Sequence, residues 1–80
     1  MRNRAKVISE LVAINHSFAT FDSDIFTIEL CGDKLKLFPR DQRFKGRFYR
    51  ISQISKVLND AGATWYISDT RTGDMEITAW

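Results

Sequence analysis

A chain of 80 residues with 44% hydrophobic and 28% charged residues reads as one small globular domain over residues 1–80, and its composition is not that of a disordered chain. No apolar run approaches the ~18 residues needed to span a bilayer. The single cysteine, Cys31, rules out an internal disulfide and fits a reducing compartment.

The net charge of +2 conceals blocks of alternating sign. Arg2, Arg4 and Lys6 open the chain as a basic cluster. Residues 7–33 then carry only acids: Glu10, Asp22, Asp24, Glu29 and Asp33. Residues 34–56 hold Lys34, Lys36, Arg40, Arg43, Lys45, Arg47, Arg50 and Lys56 against Asp41. The remainder is acidic again, with Asp60, Asp69, Asp74 and Glu76 against Arg71. Such blocks bear on partners more than the total charge does.

The start, MRNRAKVISELVAINH, is basic but lacks a long apolar core and a small-residue cleavage site, so it does not read as a signal peptide. A cytoplasmic location is the expectation. The spacing predicts an amphipathic helix over residues 4–15 instead. Ala5, Ile8, Leu11 and Val12 form its stripe, Val7 widens it, and Asn3 caps it. Lys6 and Glu10 are placed as an i, i+4 pair, and the helix should stop near Asn15-His16. Phe18 and Phe21 are assigned to one edge of the core.

Residues 24–31 and 34–38 alternate as strands. A two-residue turn at Gly32-Asp33 sets Leu30 opposite Leu35, Ile28 opposite Leu37 and Glu29 opposite Lys36. Slipping the register by one would set leucines against charges. Pro39, without an amide hydrogen, should end the ladder. Residues 40–51 fit both a helical and an extended period and read as an exposed, partly extended loop.

A second helix follows, with Ser52 as cap, Ile54, Val57, Leu58 and Ala61 as its apolar stripe, and Gly62 as the left-handed stop. The last hairpin turns through Arg71-Thr72-Gly73. It pairs Trp65 with Ala79, Ile67 with Ile77 and Asp69 with Met75, leaving Tyr66 and Thr78 on the opposite face.

The order α-β-β-α-β-β predicts an α+β fold: a four-stranded, mainly antiparallel sheet with both helices packed on one face. Phe26, Ile28, Leu30, Leu35, Leu37, Trp65, Ile67 and Ile77 form its sheet-side core. A winged-helix arrangement is disfavoured because strands, not a recognition helix, follow RISQISKVLNDAG.

Chemistry is sparse in this sequence. His16 and Cys31 fall on different elements and match no zinc spacing. Asp22-Ser23-Asp24 supplies too few oxygens for a hard-cation site and reads as a solvated turn. There is no nucleophile elbow or phosphate loop, so a non-enzymatic protein without metal or cofactor is expected. Cys31, on the outward face of its strand, is assigned no catalytic role.

One stretch stands out. Residues 34–50, KLKLFPRDQRFKGRFYR, combine Lys34, Lys36, Arg40, Arg43, Lys45, Arg47 and Arg50 with Phe38, Phe44, Phe48 and Tyr49. Guanidinium groups bind phosphates bidentately, and adjacent rings give bases a stacking surface. The candidate site is therefore the seven basic residues, with Phe44, Phe48 and Tyr49 as rings. The expected partner is nucleic acid, DNA or RNA. The competing reading is a protein-binding inhibitor or adaptor that docks a partner, or a second copy of the chain, through the charge blocks. The plainer alternative to both is that Phe44 and Phe48 pack beneath the sheet, with the arginines as a solvated rim.

Overall fold

The computed structural model describes residues 1–18, 25–40, 48, 50–69 and 75–80. Its elements run α1 (Arg4–Phe18), β1 (Phe26–Cys31), β2 (Lys34–Pro39), α2 (Ile51–Asp60), β3 (Trp65–Asp69) and β4 (Met75–Ala79). The four strands form one antiparallel sheet in the order β1-β2-β4-β3. The fold is thus α+β, with the predicted element order.

Both hairpins hold the registers that the alternation predicts. Leu30 faces Leu35, Ile28 faces Leu37 and Glu29 faces Lys36. Trp65 faces Ala79, Ile67 faces Ile77 and Asp69 faces Met75. Gly32 takes φ 64° at the first turn, a conformation that costs a residue with a Cβ ~1–2 kcal/mol. Between the hairpins, Leu35 pairs with Ala79 and Leu37 with Ile77.

Pro39 is the last residue of β2 and forms the last pair of the β1–β2 register, with Phe26, yet the Arg40 amide beyond it still donates to the Ile25 carbonyl at 3.0 Å. The reason is the alternation of hydrogen-bonded and open pairs in an antiparallel ladder. At Pro39 the missing N–H would point toward β4, not β1. The β2–β4 register stops at Leu37, so the proline terminates pairing on one side only.

Leu35, Leu37, Ile77 and Ala79 lie on one face of the central strands, and the core joins them to Val7 and Leu11 of α1, Ile54 and Leu58 of α2, and Ile25, Phe26 and Phe48. Both helices therefore cover that face. The sheet side of the core is narrower than the alternation alone predicts. Leu30 is 60% and Ile67 37% exposed, and Ile28 and Trp65 are half-buried. Leu30 shows why: its partner Leu35 is flanked by strands on both sides and fully buried, whereas Leu30 sits on an outer strand beside the hairpin tip.

Helix α1 differs from its predicted form in three ways. It continues to Phe18. Its buried stripe is Val7, Leu11 and Asn15, while Ala5 and Val12 are exposed. Lys6 and Glu10 form no ion pair; the predicted cap is nonetheless made, the Lys6 amide donating to Asn3 Oδ1 at 3.3 Å. The helix passes Asn15 because that side chain is engaged elsewhere: Asn15 Nδ2 donates to the Phe26 carbonyl at 3.0 Å, and the Phe26 amide donates to Asn15 Oδ1 at 3.1 Å.

Helix α2 begins one residue before the predicted cap. Arg50, not Ser52, stands at the N-cap, in the left-handed region and without a side-chain cap bond. Ser52 falls inside the first turn, where its carbonyl accepts from Ser55 Oγ at 2.9 Å. The C-terminus stops at Gly62, φ 67°, as predicted. Arg2 closes it: its amide donates to the Ala61 carbonyl at 2.8 Å and its Nη2 to the Asp60 carbonyl at 3.1 Å. A cation at a helix C-terminus is favourable against the macrodipole. Trp65 Nε1 then donates to Asn59 Oδ1 at 2.8 Å, tying β3 to the same helix end. Phe21 and the Asp22-Ser23-Asp24 and Arg71-Thr72-Gly73 turns lie outside the described residues.

Candidate nucleic-acid interface

Strand alternation places Lys34, Lys36 and Phe38 of β2 on the face opposite the helices, because Leu35 and Leu37 point into the core. The same face receives Glu29 and Cys31 from β1, Glu76 and Thr78 from β4, and Tyr66 from β3. Trp80 follows β4 and is fixed against Thr64 by reciprocal amide–carbonyl bonds of 2.9 Å each.

Three contacts organise this face. Lys36 Nζ meets Glu76 Oε1 at 3.2 Å. Lys34 Nζ stands 5.1 Å from the centroid of the Trp80 ring, a cation–π contact. The Tyr66 and Trp80 rings meet edge to face, centroids 5.9 Å apart and planes at 73°. Thr78, 2% exposed, lies between Lys36 and Tyr66, its register partners on either side. Tyr66 is 49% exposed.

The candidate site residues divide accordingly. Lys34 and Lys36 share the outward face, and Arg40 is exposed where β2 ends. Lys36 is committed to Glu76: the hydrogen bond and the charge of that carboxylate hold its ammonium pKa above the ordinary 10.5. Glu29, its predicted cross-strand partner, is opposite in register, but the ion pair goes to Glu76. Arg50 occupies the N-cap of α2. Phe48 is a core residue, 8% exposed and clustered with Leu35, Leu37 and Ile54, so it is removed from the candidate rings. Arg43, Phe44, Lys45, Arg47 and Tyr49 lie outside the described residues.

The sequence pattern sets Tyr66 on the outward face but does not mark Tyr66 or Trp80 as site residues, because only the β2–β4 pairing brings Trp80 beside Lys34. Among the described residues, no three His, Cys, Asp or Glu side chains gather in a way that could hold a metal ion. No helix among them is long and apolar enough to cross a membrane. Cys31 is exposed at the hairpin tip.

No protein-family model matches the chain, and no curated protein or solved structure matches it either.

Proposed function

We propose that the protein is a non-enzymatic binding module that contacts nucleic-acid phosphates and bases through the segment 34–50. The observation that supports this reading is the placement of β2. It is a central strand, and its outward side chains begin the basic–aromatic segment on the face opposite both helices. Lys34 is exposed there, Arg40 follows where the strand ends, and aromatic side chains border them. Arg43, Lys45 and Arg47 would extend the cationic surface, with Phe44 and Tyr49 as further rings.

The test is titration of labelled single- and double-stranded oligonucleotides over a range of salt concentrations. Neutralising about four to six phosphates gives log K a slope against log[salt] of roughly −3 to −4 on single strands and −4 to −5 on duplex. Replacing Arg43 and Arg47 with alanine flattens the slope. If no oligonucleotide binds even at low salt, the reading is wrong.

A second reading, a protein-binding inhibitor or adaptor, is favoured by a separate observation. The outer strands β1 and β3 expose Leu30 and Ile67, and Ile28 and Leu30 turn their backbone groups away from β2. Open sheet edges pair readily with another chain. Affinity capture with the wild-type protein and a Leu30→Lys variant tests it; capture of the same partner by both forms would exclude this edge.

A further inference from the structure

We infer that the face opposite the helices takes single-stranded nucleic acid, with one base stacked on Tyr66 and the adjoining phosphate held by Lys34. This rests on the nucleic-acid reading and specifies its ligand and contacts. The argument begins from what each side chain has left to offer. Lys36 and Glu76 neutralise one another at 3.2 Å. Lys34 has no carboxylate within ion-pair distance among the described residues, and the residue is exposed. Among the described residues, it is therefore the lysine of this face that no carboxylate engages.

The rings are arranged in a fixed order around it. Trp80 is half-buried, pinned through its backbone to Thr64, and touched by Lys34 and Tyr66. It acts as a buttress. Tyr66 meets it at 73°, so the phenol is held in orientation in a residue that stays 49% exposed. A preoriented, exposed ring loses little freedom when a base stacks on it. Ammonium and phenol both contact one indole, which puts a phosphate contact and a stacking contact on the same aromatic cluster.

Strand form follows from geometry. A base can lie flat on Tyr66 only if its own face is free, which in a duplex it is not. Stacking is tolerant of base identity, because every base has a π-face. The face is thus suited to unpaired segments of little sequence preference.

The experiment compares wild-type protein with Tyr66→Ala, Tyr66→Phe and Lys34→Ala, using labelled oligothymidylate, oligouridylate and a mixed duplex at several salt concentrations. Single strands should bind more tightly than duplex. Tyr66→Ala should weaken single strands roughly 5- to 150-fold, the range for one stacked base, with the salt slope unchanged. Tyr66→Phe should keep affinity within about twofold, because the ring is retained. Lys34→Ala should reduce the steepness of the salt dependence by about 0.7, one single-strand phosphate. Denaturant midpoints of each variant separate loss of contact from loss of fold. Tight single-strand binding by a folded Tyr66→Ala protein overturns this inference and leaves the nucleic-acid reading standing, as does equal or tighter binding of duplex. Absence of binding to all three probes overturns both.

Discussion

Asn15 and Phe26 are joined by two hydrogen bonds that do with one carboxamide what a neighbouring strand would otherwise do. Phe26 turns its N–H and C=O away from β2, and Asn15 accepts from the first at 3.1 Å and donates to the second at 3.0 Å. Both residues are buried. The helix is thereby docked onto the edge of the sheet, and the start of that edge is closed to another chain. Further along β1, Ile28 and Leu30 present the same groups without such a helix contact among the described residues.

Asn15→Ala removes both partners at once. A buried backbone group left without a partner costs about 1–3 kcal/mol, so the two together lead to an expected loss of roughly 2–6 kcal/mol. Urea denaturation measures it. A midpoint unchanged from wild type would mean that water replaces the carboxamide freely.

Leu37, Ile28 and Leu30 form a graded series on one face. Leu37 is fully buried between two strands, Ile28 is half-buried on an outer strand, and Leu30 is mostly exposed. Leu37→Ala should cost about 2–5 kcal/mol, the usual range for a core truncation. Ile28→Ala should cost distinctly less, and Leu30→Ala should stay within ~0.5 kcal/mol, as for other surface positions. Equal losses for Leu37 and Leu30 would contradict the strand order.

Phe48→Ala tests a reassigned ring. As a core residue, Phe48 should cost about 3–5 kcal/mol on truncation. A ring that served only to stack on bases would lower oligonucleotide affinity without moving the denaturation midpoint. That second pattern would return Phe48 to the binding surface.

Lys36 predicts a dependence on alkaline pH. Glu76 raises its pKa above 10.5, first through a hydrogen bond and then through charge. A group whose pKa is raised by folding contributes its stability fully below the unfolded value and loses it as pH rises through the folded value. The contribution of this pair should therefore be constant up to about pH 10.5 and decline above it. Thermal denaturation of wild type and Glu76→Gln across that range compares the two. Parallel curves would show that the pair does not couple protonation to folding.

Local pattern determined a great deal of this protein. The alternation around Gly32-Asp33 and the matching run from Trp65 to Ala79 specify two hairpin registers, because a slip of one residue would exchange buried and exposed side chains along an entire strand. Gly62 marks the end of α2 because its left-handed conformation disfavours other residues. Asn3 marks the start of α1 because its side chain can accept from a helix amide that has no partner within the helix. The basic–aromatic character of residues 34–50 is likewise legible directly, as composition.

Tertiary structure decided what depends on residues distant in the chain. Pairing of Leu35 with Ala79 makes β2 and β4 central, and that alone distinguishes buried Leu35 from exposed Leu30, two leucines with the same pattern. It brings Glu76 to Lys36 in place of Glu29, and Trp80 to Lys34, which turns two remote residues into one contact. Phe48 enters the core because the sheet and α2 provide a site for it, which decides between the stacking and the packed readings that its sequence leaves open. Asn15, which reads locally as a helix stop, stays helical because the Phe26 backbone satisfies its amide. Periodicity reports which side of an element is apolar; which neighbour then covers that side depends on the packing of the whole chain.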